Sequence, residues 1–565
     1  RRGGSLAGVG AEVREGLAEC RRVGYLESEV KEAGDRVRTA LKNTGYPLPA
    51  RRITVNLAPA GVRKAGSRFD LAVAAAVLAS MQKVPAENLK GLMIAGELSL
   101  SGQVLGIPGV LALAEAARAA GAGRCIVPVA NAREGALIQE VEVIGVSDLA
   151  ELIELLRHPK LGKRTVVDGS RLLEQGVQTL EEDFAQIRGQ KAVKRAAEIA
   201  AAGMHNFLMI GPPGSGKTMV ARRIPGILPS LSLRESLKIT KIYSVAGLLP
   251  PEEPLVARRP FRAPHHTTTA EALAGGGRLP LPGEISLSSG GILFLDELPE
   301  FRRPALEILR QPLEEHRVCV SRTSGTYVFP ADFMLVAAMN PCACGYYPDR
   351  TRCSCAPREI SRYLGRLSQP LLDRIDICMQ VPKLSYEELQ EDGSEESTEE
   401  SGAESTAEST AEIRKRVEKA HQIQKERFRG MAACFNSRLN VRDTEKFCRL
   451  GLAEKELLRQ AVDRLSLSAR AYHRLLRTAR TIADLAGEEK VRAEHILEAL
   501  GYRPPERGEW PQEVCGMGKP GREMEQYWHW FCARLLSDPA LEPTAPGGVG
   551  PRILFPSERS QRGRV

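Results

Sequence analysis

Residues 211–218 read Gly211-Pro212-Pro213-Gly214-Ser215-Gly216-Lys217-Thr218, a glycine-rich loop ending in a lysine and a hydroxyl residue. It is entered from the apolar run Phe207-Leu208-Met209-Ile210 and left through Met219-Val220-Ala221-Arg222, a helical pattern. No other feature constrains the fold as strongly. A buried strand must run into a loop whose backbone N–H groups turn inward, and a helix must start at once. Such a loop closes around the phosphates of a nucleoside triphosphate: Gly211, Gly214, Ser215 and Gly216 supply backbone N–H donors in a turn that Pro212 and Pro213 help to shape, Lys217 neutralises the β/γ oxygens and the Thr218 hydroxyl binds Mg²⁺.

A second motif, Gly291-Ile292-Leu293-Phe294-Leu295-Asp296-Glu297, is an apolar strand ending in two carboxylates. Its reading is a Walker-B strand, with Asp296 holding Mg²⁺ through water and Glu297 polarising the water that attacks the γ-phosphorus. A third strand, Phe333 to Met339, ends at Asn340, whose amide suits a sensor that positions the same water.

These spacings resemble the AAA+ ATPases, and specifically the magnesium-chelatase-like family called YifB or ComM. The resemblance is carried also by Arg188-Gly189-Gln190, Pro260-Phe261-Arg262-Ala263-Pro264-His265-His266-Thr267, Pro282-Gly283-Glu284-Ile285-Ser286-Leu287, Asp296 to Phe301, and Pro370-Leu371-Leu372-Asp373-Arg374-Ile375-Asp376. It runs from about Val23 to about Tyr502; residues 1–22 lack the alternating strands with which the family opens, and there is no initiating Met. The resemblance implies a homo-oligomeric ring, expected to be a hexamer, in which Arg374 reaches the γ-phosphate of the neighbouring subunit. It also implies that Arg470, in Ser468-Ala469-Arg470-Ala471-Tyr472, is a second sensor touching ATP in its own subunit.

Ahead of the ATPase core, the strand Arg52 to Leu57, a helix through Leu71 to Leu78, an Ala-rich helix over Leu111–Ala120 and the strand Arg124 to Pro128 form an α/β domain. It resembles the ribosomal-S5-like domain of Lon-type proteases, which raises an ATP-dependent protease as a rival function. A Ser/Lys protease needs a serine activated by a lysine amine. Alignment through Lys64 to Asp70 puts Arg68 in the nucleophile's place, with Ser67 one position early, and alignment through Gly96 to Gly109 puts Leu111 in the lysine's place. Neither chemistry is available, so the domain reads as non-proteolytic.

The formal charge of +9 hides an uneven distribution: residues 387–412 hold ten Glu and one Asp with no Lys or Arg. Without them the chain carries about +20, a body that attracts phosphate backbones. The acidic stretch is low-complexity and reads as a flexible connector. Two features flank the Walker-B strand: a hairpin with a Gly turn over residues 315–328, and an inserted loop from Arg262 through Gly275-Gly276-Gly277-Arg278. In a ring of the resembled family such elements face the pore, so Arg262, Arg278, Arg317 and Arg322 are candidates to contact DNA phosphates without sequence preference. The paired His265 and His266 suit hydrogen bonding within the loop better than metal.

Cys342-Ala343-Cys344 and Cys353-Ser354-Cys355 follow Asn340 directly. Four thiols in two close pairs suit a tetrathiolate Zn²⁺ site, with unligated or redox-active cysteines as the alternative. The twelve cysteines otherwise look like reduced thiols. No stretch reaches a membrane span and no signal peptide is visible, so a cytoplasmic protein without membrane contact is expected.

The boundaries predicted are an atypical segment (1–22), the Lon-like domain (23–160), a linker (161–182), an AAA+ core (183–385), an acidic disordered connector (386–412), a helical lid (413–503) and a tail with three tryptophans (504–565). The fold class is α/β, a P-loop NTPase core with a helical lid. The expected function is an ATP-driven ring motor on single-stranded or branched DNA, such as a branch-migration helicase in recombination or natural transformation. The alternative is a chelatase-type motor that remodels a protein partner for metal insertion.

Overall fold

All four residues of the strand Phe207–Ile210 are buried, as its place inside a parallel sheet requires. The computed structural model describes residues 7–503 except 15–19, 25–27, 60–63, 65, 177–181, 278–279, 323–324, 384–407 and 432–433. The strand order in the central sheet is Phe261–Arg262, Ile292–Leu295, Met334–Met339, Phe207–Ile210, Ile377–Gln380, and every pairing is parallel. Parallel strands require crossovers that cover both faces, which is why these segments read as unbroken apolar runs. Alternate residues serve opposite faces. Phe207, Met209, Val336 and Ala338 join one core with the helices Lys191–Gly203 and Lys217–Ile227, whereas Leu208, Leu295, Leu335 and Ala337 join another with Ile360, Leu371 and Ile375.

Register then decides where chemistry can sit. Ile210 pairs with Met339 and Leu295 with Ala337, so the residues that follow, Gly211, Asn340 and Asp296, leave the sheet at one edge. This is the carboxyl edge at which open parallel sheets bind ligands.

Gly8–Arg14 runs antiparallel to Arg52–Ala58, which pairs parallel with Cys20–Val23. This corrects the reading of residues 1–22 as lacking strands. Val9, Ala11 and Val13 pack against the core at alternate positions, a period-two pattern that the small residues Gly8, Gly10 and Ala11 make faint. A second parallel sheet joins Leu92–Ile94, Arg124–Pro128 and Glu142–Val146. The expected linker 161–182 contains the helix Gly169–Gly176, whose last carbonyl accepts from Arg258 at 2.7 Å.

The acidic connector also ends earlier than expected. Ser409 and Glu412 form a reciprocal capping box that starts the helix Thr410–Arg427, and Thr410 hydrogen-bonds Asp183 at the start of the ATPase core. Ser-x-x-Glu ahead of an apolar period is a helix-start signal, here masked by its acidic surroundings. The rest of the connector, 386–407, and the tail 504–565 lie outside the described residues. No helix among the described residues is long and apolar enough to cross a membrane, and the cysteines from Cys125 to Cys448 are free thiols.

Candidate nucleotide site

The loop after Ile210 folds as its glycines dictate. Gly214 and Gly216 have φ of 75° and 84°, backbone conformations that other residues adopt only with strain, and a Cβ on Gly211 would lie 2.2 Å from the Val381 carbonyl oxygen. The helix Lys217–Ile227 begins at the end of this turn. Gln190 braces the loop by donating to the Ser215 carbonyl at 2.8 Å.

Lys217 is buried, and its ammonium donates to the carbonyls of Gly211 and Pro212, each at 2.8 Å, and to Oδ1 of Asn340 at 3.3 Å. Burial lowers its pKa, and the Asp296 carboxylate opposes that shift. Thr218 Oγ1 donates to Asp296 Oδ2 at 2.8 Å. Asp296 Oδ1 accepts from the Glu297 backbone N–H at 2.9 Å. The structure thus brings together Lys217, Thr218, Asp296 and Asn340 from three adjacent strand ends. These groups fit a triphosphate with Mg²⁺: a glycine cradle, a buried cation held only by neutral oxygens, and a hydroxyl facing a carboxylate. Glu297 stands beside them with a left-handed backbone (φ 52°), and its Oε2 lies 3.1 Å from Nδ1 of His266.

Arg374 and Arg470 lie elsewhere. Arg374 is nearly buried, and its Nη2 donates to Oε1 of Glu314 at 2.5 Å. Arg470 reaches the same oxygen at 3.3 Å. One helical turn on, the buried Arg474 donates to the carbonyl of Ile375 at 2.6 Å, which seats the helix Ala469–Ala486 on the segment carrying Arg374. The ionic partner of Arg470 is therefore Glu314, which it shares with Arg374.

Asn206 was not legible as a site residue. It precedes the P-loop strand, donates to the Arg374 carbonyl at 2.8 Å, accepts from the Leu335 N–H at 3.0 Å and gives its backbone N–H to Asp376 at 2.9 Å. A polar residue at the mouth of an apolar run is the only trace it leaves in the sequence. Glu314 leaves none.

The four cysteines of the loop after Asn340 converge. Cys342 Sγ lies 3.3 Å from Cys344 and 3.8 Å from Cys353, Cys344 lies 3.5 Å from Cys353, and all four sulfurs including Cys355 lie within 4.8 Å of one another. A tetrahedron of Zn–S bonds of about 2.3 Å has corners about 3.8 Å apart. The loop touches the P-loop: a Cβ on Gly345 would lie 2.5 Å from Pro213.

The basic candidates divide. Arg262 holds Glu284 through Nε and Nη2 at 2.6 and 2.7 Å, a bidentate carboxylate pair with which any phosphate contact would have to compete. The segment it begins is also more ordered in form than an inserted loop, with the helix Ala270–Ala274 and a Gly275–Gly276 pairing to Leu281–Pro282. Arg317 and Arg322 lie on the expected hairpin, Arg317–Arg322 with Gly325–Pro330, both partly exposed, near Glu315 at 2.9 Å and Glu271 at 4.0 Å respectively. Arg278 lies outside the described residues. His265 bonds Thr267 within its loop at 2.9 Å as expected, whereas His266 turns to Glu297 instead.

Comparison with known proteins agrees with this geometry. Residues 183–389 match the family described as magnesium chelatase, subunit ChlI; residues 9–131 match subunit ChlI of Mg-chelatase; and residues 407–503 match the ChlI C-terminal family. The match from residue 9 agrees with the strand at Gly8–Arg14. The chain is 43% identical to the competence protein ComM of Haemophilus influenzae, covering 85% of this chain and 91% of that protein. It is 40% identical to the uncharacterized protein YifB of Salmonella typhimurium, covering 88% and 94%. Lon protease 2 of Bacillus subtilis is 28% identical over 28% of each chain.

Proposed function

The chain belongs to the magnesium-chelatase-like family of ComM and YifB, and from that premise we propose that it is a cytoplasmic ATP-hydrolysing ring motor that moves on DNA, in the manner of a branch-migration helicase. The observation that carries the reading is the separation of two half-sites. Lys217, Thr218, Asp296 and Asn340 meet at one sheet edge, while Arg374 is paired with Glu314 on a different patch. Lys217 supplies one cation from within the site, and a second for the charge that develops on the γ-phosphate is taken to come from a neighbour's arginine, hence a ring, expected to be a hexamer.

In this mechanism Lys217 exchanges its carbonyl partners for phosphate oxygens, a favourable trade for a buried ammonium. Thr218 and Asp296 are the residues to hold Mg²⁺, which when bound supplies charge neutralisation between phosphates. Asn340, one bond from Lys217, orients the attacking water, and Glu297 takes its proton. Arg374, released from Glu314, stabilises the transition state next door, with Arg470 beside it.

The N-terminal domain is read as Lon-like and non-proteolytic. In support, Ser67 donates to the Glu97 carboxylate rather than to a lysine, and Leu111 is buried in apolar packing. The four cysteines are proposed to hold Zn²⁺, tying the loop after Asn340 into a rigid unit against Pro213. Arg317 and Arg322 on the hairpin, and Arg278, are the proposed phosphate contacts. The competence-protein name of one relative favours DNA as the substrate; the chelatase names of the matching families favour protein remodelling as the second reading. ATP turnover measured with and without single-stranded and branched DNA separates them. Strong stimulation by DNA supports the motor on DNA, and stimulation only by a protein partner supports the remodeller.

A further inference from the structure

Glu297 is half exposed at 54%, and its left-handed backbone does not by itself fix where the carboxylate points. A general base works only within hydrogen-bond reach of its proton, about 2.6–3.2 Å, so a side chain free to turn would be in place only part of the time. His266 meets it, with Nδ1 3.1 Å from Oε2.

The two segments start from neighbouring strands. The edge strand runs parallel to the Walker-B strand with Phe261 opposite Ile292 and Arg262 opposite Leu293. Past Arg262 and Leu295 both segments leave the ladder, and His266 and Glu297 meet across the turns that follow. The imidazole is itself braced: it lies against His265 with centroids 4.1 Å apart, and His265 is tied to Thr267 at 2.9 Å. Because the partner is an acceptor, Nδ1 carries the proton in the contact.

We propose that His266 is a positioning residue for ATP hydrolysis, donating from Nδ1 to Oε2 of Glu297 and so presenting Oε1 to the attacking water. This rests on the reading of Glu297 as the base. Water oxygen forms the new bond to the γ-phosphorus, the bond from that phosphorus to the β–γ bridging oxygen breaks, and ADP leaves with the electron pair. The water proton passes to Oε1 of Glu297. His266 keeps its proton throughout.

The full chain is assayed for ATP hydrolysis in the presence of DNA, with binding of a fluorescent ATP analogue as the check on folding. His266→Ala should lower kcat by about 10²-fold, the scale of a misplaced catalytic group, while KM for ATP and analogue binding stay unchanged. His266→Asn, whose amide N–H stands where Nδ1–H stands, should recover much of the loss. His266→Gln, whose amide reaches the place of Nε2, should not. In a Glu297→Gln background, His266→Ala should add nothing further. An unchanged or raised kcat in His266→Ala, or equal recovery by Asn and Gln, would overturn the positioning role. Wild-type turnover by Glu297→Gln alone would instead overturn the base assignment beneath it.

Discussion

Arg374 and Arg470 converge on a single oxygen, Oε1 of Glu314, at 2.5 and 3.3 Å. Two guanidiniums on one carboxylate form a patch that acts as a unit, so both should serve the same nucleotide, that of the neighbouring subunit. Arg374→Ala and Lys217→Ala subunits, each inactive alone, should regain ATPase activity when mixed, since some interfaces then pair an intact P-loop with an intact arginine. A missing finger costs about 10³–10⁵ in rate, so few repaired interfaces are needed. Arg470→Ala should likewise complement Lys217→Ala but not Arg374→Ala. Complementation between the two arginine variants, read in co-assembled rings, would place Arg470 on its own nucleotide.

Lys217 and Glu297 should separate binding from chemistry. Lys217→Ala removes the cation that faces the phosphates and should abolish productive ATP binding, whereas Glu297→Gln should bind ATP, hydrolyse it poorly and keep the ring assembled. Equilibrium nucleotide binding beside single-turnover hydrolysis reads both, and normal turnover by Glu297→Gln would remove it from the mechanism.

Purified protein should hold about one zinc per chain, measured by elemental analysis without chelators in purification. Cys342→Ser with Cys344→Ser should lose it. Structural tetrathiolate sites bind with roughly 10–16 kcal/mol apparent free energy, so the loss should also lower thermal stability. Metal-free protein of full stability would leave the cluster as free thiols.

Asp376 sits beneath the arginine patch and should govern acid stability. Burial alone would push its carboxyl up, but His205, with Nδ1 3.7 Å away, and the guanidiniums of Arg477 and Arg474 outweigh burial and hold it at about 2, below the ordinary 3.8. A pKa lower in the folded than in the unfolded chain gives stability that is present above about pH 4 and lost as pH falls towards 2. The pH-dependent part is of the order of 2 kcal/mol. Denaturant titrations of Asp376→Asn should show a flatter acid limb between those values; a slope as steep as the parent's would assign the titration to other groups.

Much of the nucleotide site was legible because its motifs are local. Gly214 and Gly216 announce backbone conformations that only glycine adopts readily, and the apolar runs ending at Ile210, Leu295 and Met339 announce strands buried on both faces. The strand at Gly8–Arg14 was hidden by its small residues, and the helix start at Ser409 by the acidic repeat around it.

By itself, then, the sequence determined which groups exist to do chemistry and the local shape of the loop that holds phosphate, since glycine placement and two-residue periodicity act over a few bonds. It could not say which arginines are committed. Arg262 reads as a DNA-phosphate contact and Arg374 as a finger for the neighbouring subunit, and nothing in either motif shows that the one pairs with Glu284 and the other with Glu314. Nor could it say that Asn206 ties the Arg374 segment to two strands, or that His266 meets Glu297. Those juxtapositions join segments far apart in the chain. They are set by sheet register and by packing summed over whole cores, which no short stretch of residues encodes.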